Sequence, residues 1–194
     1  PVQGESGIRP LDPGFVKAAA ALCKEHDVLL AFDEIQSGVG RTGTFLACED
    51  YGIEPDIVTL AKGLAGGVPI GAVLAASRCA EVLQPGDHGS TFGGNPLAAA
   101  AGRAVLSQVC DPAFLAEVAK KGAFIKETVE AWKLPAIKAV RTKGLMVGID
   151  IAQAAWPVVQ EACNKGLLIL SAGPNTLRLL PPLIISEAEL AEGL

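Results

Sequence analysis

The run Val28-Leu29-Leu30-Ala31-Phe32, closed by Asp33, constrains this chain more than any other feature. Five apolar residues without polar alternation do not suit a strand with one wet face. They suit a short strand buried on both sides, as in a parallel sheet covered by helices. The flanking stretches agree. Asp12-Pro13 supplies a helix N-cap and a proline at the first helical position. Phe15, Val16, Ala19 and Leu22 carry that helix towards His26. Beyond a glycine-rich loop from Gly38 to Gly43, strands are predicted at Asp56–Leu60 and Ile70–Ala75. Asn95-Pro96 starts an alanine-rich helix reaching Val109, and Asp111-Pro112 starts another reaching Trp132.

The pattern then changes. Ile137–Val140 and Leu145–Ile151 read as strands around Gly144, and Trp156–Lys165 as a helix closed by Gly166. Leu167–Leu170 and Thr176–Leu180 read as further strands, the last ended by Pro181-Pro182. The fold class is therefore α/β: a mostly parallel sheet with helices over residues 1–110, followed by a small α+β domain over residues 111–194. The chain starts at Pro1 without a methionine, and its end interrupts a helix opened by Ser186-Glu187-Ala188-Glu189-Leu190. A fragment of a longer protein is expected, with the second domain truncated.

Composition excludes several classes. Half of the 194 residues are hydrophobic and 19% are charged, in the range of a folded soluble protein. No apolar stretch is long enough for a membrane span. A net charge of −5 with no run of either sign argues against a nucleic-acid surface. Cys23, Cys48, Cys79, Cys110 and Cys163 are scattered without a CxxC pair, so neither a disulfide framework nor a zinc site is expected, and no metal ligand set is assigned. Free thiols suit the reducing cytoplasm. His26 and His88 lack partner clusters and read as structural or surface residues.

Two residues sit where ligands bind in open α/β sheets, beyond the carboxyl ends of strands: Asp33 after the first strand and Lys62 just past the second. A lysine amine can attack a carbonyl when neutral. A carboxylate can keep a pyridine nitrogen protonated so that the ring accepts electrons. On spacing alone the pair also reads as a turn aspartate and a solvated loop lysine.

The surrounding segments narrow the choice. Val28 to Gly43 contains Asp33-Glu34-Ile35-Gln36; Pro55 to Ala72 contains Ala61-Lys62-Gly63; His88 to Pro96 contains Ser90-Thr91; Asn175 to Leu183 contains Arg178. These four segments, in this order, resemble those of class III (fold type I) pyridoxal-phosphate-dependent aminotransferases, and the resemblance covers essentially the whole chain. It implies the carboxyl-side part of that family's cofactor-binding large domain, followed by the small C-terminal domain. It assigns Lys62 as the catalytic lysine that holds pyridoxal 5'-phosphate and moves the proton. Asp33 would bind the pyridine nitrogen and Gln36 the phenolic oxygen. Glu34 and Ile35 belong to the same cofactor segment, with Glu34 supporting from behind. Thr91 would bind the phosphate, usually that of the partner subunit, and Ser90 would approach the substrate. Arg41 would organise its loop.

The resemblance also makes Arg178 a carboxylate clamp, whose fork matches a carboxylate bidentately. Glu5 would be its partner, pairing with it when the amino donor is bound and releasing it for 2-oxoglutarate. The one departure noticed is Ser6, where the family often has glycine. The implied partners are an amino donor, 2-oxoglutarate and a second copy of the chain in a homodimer, with no nucleic acid and no membrane. The segment wording leans towards N-acetylornithine as donor, with succinylornithine, ornithine and 4-aminobutyrate as alternatives.

Two readings of other classes compete. Val28–Glu34 also has the form of a Walker-B strand, but a nucleotide hydrolase needs GxxxxGK[ST], and no such motif is present. A non-catalytic remnant is the other, because the family's phosphate-holding glycine/serine loop and ring-stacking aromatic are not identifiable in these segments. The 194 residues alone are expected to be weakly active or inactive.

Overall fold

A computed structural model describes residues 1–194. The elements run β1 (Val2–Gln3), β2 (Arg9–Pro10), α1 (Pro13–Glu25), β3 (Ala31–Asp33), β4 (Ile57–Leu60), β5 (Ala72–Ala75), α2 (Pro96–Val109), α3 (Pro112–Ala131), β6 (Ile137–Lys143), β7 (Met146–Ile151), α4 (Ala155–Asn164), β8 (Leu170–Ser171), β9 (Thr176–Leu179) and α5 (Glu187–Gly193). Two short 3-10 helices lie at Ala47–Tyr51 and Lys62–Ala65. No helix is long and apolar enough to cross a membrane. The chain forms two compact units. One comprises Pro1, Leu11–Val39 and Thr44–Phe114; the other comprises Val2–Pro10, Gly40–Gly43 and Leu115–Leu194.

The first unit is built on the sheet β3-β4-β5. β3 runs parallel to β4, with Asp33 opposite Thr59, and β5 runs antiparallel to β4. The apolar run at Val28 enters the sheet only at Ala31. The Asp56 carboxylate accepts the Leu30 N–H at 2.8 Å, and the Val28 N–H goes back to Cys23 O, so neither group is available to a ladder. β5 likewise begins at Ala72, after Pro69 and Gly71. Val16 of α1, Phe32 of β3, and Cys48 and Tyr51 of the first 3-10 helix form one buried cluster, lined by Leu11, Leu30, Leu46 and Ile53. Tyr51 keeps its hydroxyl satisfied there by donating to Pro1 O and Leu11 O. Asp12 and Asn95 cap α1 and α2 by accepting the Phe15 and Ala98 N–H groups.

The second unit is an antiparallel sheet in the order β6-β7-β9-β8, plus the β1-β2 ladder. α3 buries Val118, Gly122, Ile125 and Val129, the three-to-four spacing of a single helix face. The expected strand at Leu167–Leu170 shrinks to Leu170–Ser171. The N–H groups of Gly166 and Leu167 close α4 by donating to Cys163 O and Ala162 O, which holds the chain in a helix cap instead. Arg41 ties its loop to this unit: Nη1 donates to Pro181 O at 2.6 Å, and its carbonyl accepts the Leu145 N–H. Burial pulls that guanidinium's pKa below its ordinary value.

Candidate active site

The parallel pair β3–β4 leads an acidic and a basic residue out of the same end of the first unit's sheet. Asp33 is the last residue of β3, and its Cα partner is Thr59. Lys62 follows three residues beyond Thr59, opening the second 3-10 helix. Both are exposed. Lys62 has φ 46°, in the left-handed region. A non-glycine residue there costs about 1–3 kcal/mol and persists only where its surroundings hold it. α2 packs against the turn that Lys62 opens.

The turn after β3 braces the aspartate. The Ile35 N–H donates to Asp33 Oδ1 at 2.9 Å, and Oδ2 accepts no hydrogen bond within the chain. Thr59 Oγ1, on the residue paired with Asp33, is a buried hydroxyl without a partner. Gln36 is half-buried on the same turn. Glu34 is fully buried and its carboxylate is used internally: Oε2 accepts from Ser37 Oγ at 2.5 Å and Oε1 from the Cys48 N–H at 2.7 Å. Burial, and then the neighbouring Glu34 charge, push the Cys48 thiol up to about 12. Gly38 lies close under this turn, where a Cβ would stand 2.8 Å from Glu34 O and 2.9 Å from Leu60.

Ser90 and Thr91 lie on the exposed loop before α2. Ser90 Oγ accepts the Gly93 N–H at 2.9 Å, and a Cβ on Gly93 would stand 2.8 Å from Ser90 Cβ. No hydrogen bond joins these two residues to Asp33 or Lys62.

Glu5 and Arg178 belong to the second unit. Arg178, on β9, is 8% exposed. Its Nη1 forms an ion pair with Glu5 Oε1, while its Nε is buried without a partner. A guanidinium with one edge paired and a second donor unsatisfied is suited to accept a carboxylate.

Arg141 and Asp150 were not singled out in the sequence. They form a two-pronged ion pair, Nη1 to Oδ2 at 2.5 Å and Nη2 to Oδ1 at 2.6 Å. Hydrogen bonding from Arg141 holds the Asp150 carboxyl down at about 2. β7 (MVGIDI) carries Asp150 as its one polar residue and β6 (IKAVRTK) carries its polar residues without alternation, so no pattern in the sequence paired the two.

The Asp33–Lys62 pair fits pyridoxal 5'-phosphate in its chemistry: it offers an amine for the aldehyde carbon and a carboxylate for the ring nitrogen.

Comparisons with known proteins agree in kind. The family described as "Aminotransferase class-III" matches residues 1–194. Acetylornithine aminotransferase of Bacillus subtilis (strain 168) is 50% identical over 192 residues, which cover 98% of this chain and 50% of that protein. Its counterpart from Caldanaerobacter subterraneus subsp. tengcongensis is 50% identical over 196 residues, covering 100% of this chain and 50% of that one. Among solved structures, N-acetylornithine aminotransferase from Stenotrophomonas maltophilia K279a superposes with a TM-score of 0.90 at 41% identity, covering 100% of this chain and 52% of that one. Ornithine aminotransferase from Toxoplasma gondii ME49 gives 0.92 at 37% identity, covering 100% and 48%. The chain spans about half the length of the curated relatives it matches. It belongs to the class-III aminotransferase family.

Proposed function

We propose that the complete protein is a pyridoxal-phosphate-dependent ω-aminotransferase that moves the terminal amine of N-acetylornithine to 2-oxoglutarate, giving N-acetylglutamate 5-semialdehyde and glutamate. One observation carries the reading: Asp33 and Lys62 leave the same edge of adjacent parallel strands, the lysine on a left-handed backbone. When bound, the cofactor supplies the electron sink that lets an amino group leave one substrate and join another.

The chain's own residues do the rest. Lys62 Nζ anchors the cofactor and carries the proton between substrate atoms, acting as acid and base in turn. Asp33 would hold the protonated ring nitrogen, its Oδ1 being fixed by the Ile35 N–H. Gln36 would hold the ring's phenolic oxygen. Thr91 would hold a cofactor phosphate, that of the partner subunit in a homodimer, and Ser90 would approach the substrate. Glu34 holds the turn from beneath through Ser37 and Cys48. Arg178 grips a substrate carboxylate, and Glu5 occupies that arginine when the bound substrate presents none. A cytoplasmic location fits this activity.

Ornithine as donor is the second reading, favoured by the similarity to ornithine aminotransferases at comparable TM-scores. A panel of amino donors with 2-oxoglutarate on the complete protein decides. The highest kcat/KM is expected for N-acetylornithine; a higher value for ornithine selects the second reading, and absence of any transfer rejects both.

A further inference from the structure

Arg178 does not meet Glu5 by chance of surface placement; a separate polar network sets the segment that carries the glutamate. In the four-stranded sheet, Gly148 of β7 is opposite Arg178 of β9 on one side and Arg141 of β6 on the other, and Asp150 is opposite Thr176. Alternation puts all five on one face. The N-terminal segment lies on that face because Gly148 has no side chain: a Cβ there would stand 2.6 Å from Gly7 O and 3.1 Å from Ile8 Cβ.

Arg141 then fastens the segment. Its fork is held by both oxygens of Asp150, and Thr176 Oγ1 donates to Asp150 Oδ1 at 2.6 Å. Arg141 Nη2 and Nε donate to Gly7 O at 2.8 and 3.1 Å, and Nε to Ile8 O at 3.2 Å. The segment needs fastening. Gly7 has φ 100°, and Ile8, fully buried and β-branched, has φ 52°. A β-branched residue in the left-handed region stays there only when over-determined by its surroundings. Three residues before Ile8 stands Glu5, on Arg178.

We infer that Arg141, braced by Asp150 and Thr176, is a positioning residue that fixes the Glu5 carboxylate against Arg178 and so sets the balance between a dicarboxylate and an amine donor. The inference rests on the proposed reading of Arg178 as a carboxylate clamp. A competitor held on a clamp lowers its apparent affinity by the fraction of time the clamp is free. Loosening the network frees the arginine, so dicarboxylates should bind more tightly and donors with no carboxylate at that position less productively.

The test uses the complete, cofactor-bound enzyme with Arg141→Lys, Asp150→Asn and the milder Thr176→Val, and Glu5→Gln as reference. The readouts are the affinity for glutarate by calorimetric titration, and KM and kcat for 2-oxoglutarate and the amino donor in separate half-reactions. Glu5→Gln, Arg141→Lys and Asp150→Asn are expected to tighten glutarate and lower the 2-oxoglutarate KM by about three- to tenfold, with donor KM moving the opposite way and KM changing more than kcat. Thr176→Val should move in the same direction by less. If Glu5→Gln shifts these values and none of the three network variants does, the inference is overturned while the clamp stands. If Glu5→Gln itself shifts nothing, the clamp reading fails and the inference falls with it.

Discussion

Gly122 of α3 and Gly144 of the β6–β7 turn touch backbone to backbone: a Cβ on Gly122 would stand 2.1 Å from Gly144 O. Gly144 is crowded from its other side as well, where its own Cβ would meet the Thr42 carbonyl carbon at 2.4 Å, and its φ is 53°. No side-chain rotation relieves a clash between backbones. Gly122→Ala is therefore expected to destabilise the second unit by about 3 kcal/mol or more, since overpacking a close contact costs 1–3 kcal/mol even where side chains can yield. Chemical denaturation of the variant checks this; an unchanged midpoint would mean the helix and turn are farther apart.

The buried Glu34 makes a prediction for the first unit. Glu34→Ala leaves the Cys48 N–H without its acceptor and removes the carboxylate oxygen to which Ser37 Oγ donates. The expected loss is about 1–3 kcal/mol for the unsatisfied buried donor, read as a lowered denaturation midpoint.

Cys48 itself should be chemically silent. It is 2% exposed, and its thiol is pushed up to about 12, whereas Cys110 and Cys163 are exposed. Because the thiolate is the reactive form, alkylation of the native protein should label Cys110 and Cys163 and spare Cys48 until denaturant is added. Peptide mass mapping reads the result; Cys48 labelled at the rate of the other two would contradict the burial.

Acid should loosen the sheet of the second unit through Asp150. Its pKa is lowered from 3.8 to about 2, chiefly by hydrogen bonding from Arg141. A depressed folded-state pKa means that the native state prefers the charged form, so this contribution is full above the unfolded value and is lost as pH falls through the folded one. The loss should run from near pH 4 down to near pH 2, and Asp150→Asn should remove that part of the acid dependence. Thermal melts of both proteins across this range provide the measurement; identical pH profiles would contradict it.

Helix starts were legible because capping is local: Asp12 and Asn95 accept N–H groups three residues ahead, and both are followed by proline. The edges of β3 and β8 were not, because they depend on whether a backbone group is taken by something else first. Asp56 captures the Leu30 N–H from 26 residues away, and the α4 cap captures Leu167. The ends of β3 and β4 were legible because an apolar run and its close are visible in the chain itself, whereas the choice of Asp33 and Lys62 rested on the resemblance of the surrounding segments. The Arg141 network could not, since its bond to Gly7 joins residues 134 positions apart. For the same reason, periodicity could not reveal that Val2–Pro10 and Gly40–Gly43 fold with the second unit.

The central claim is that Lys62 is the residue that holds pyridoxal 5'-phosphate. Borohydride reduction of the complete, cofactor-loaded protein fixes the cofactor to whichever lysine carries it, and peptide mass mapping then identifies that residue. The label is expected on the peptide containing Lys62 and should be absent in Lys62→Ala. A label on another lysine, or cofactor bound with no reducible linkage, would contradict the account.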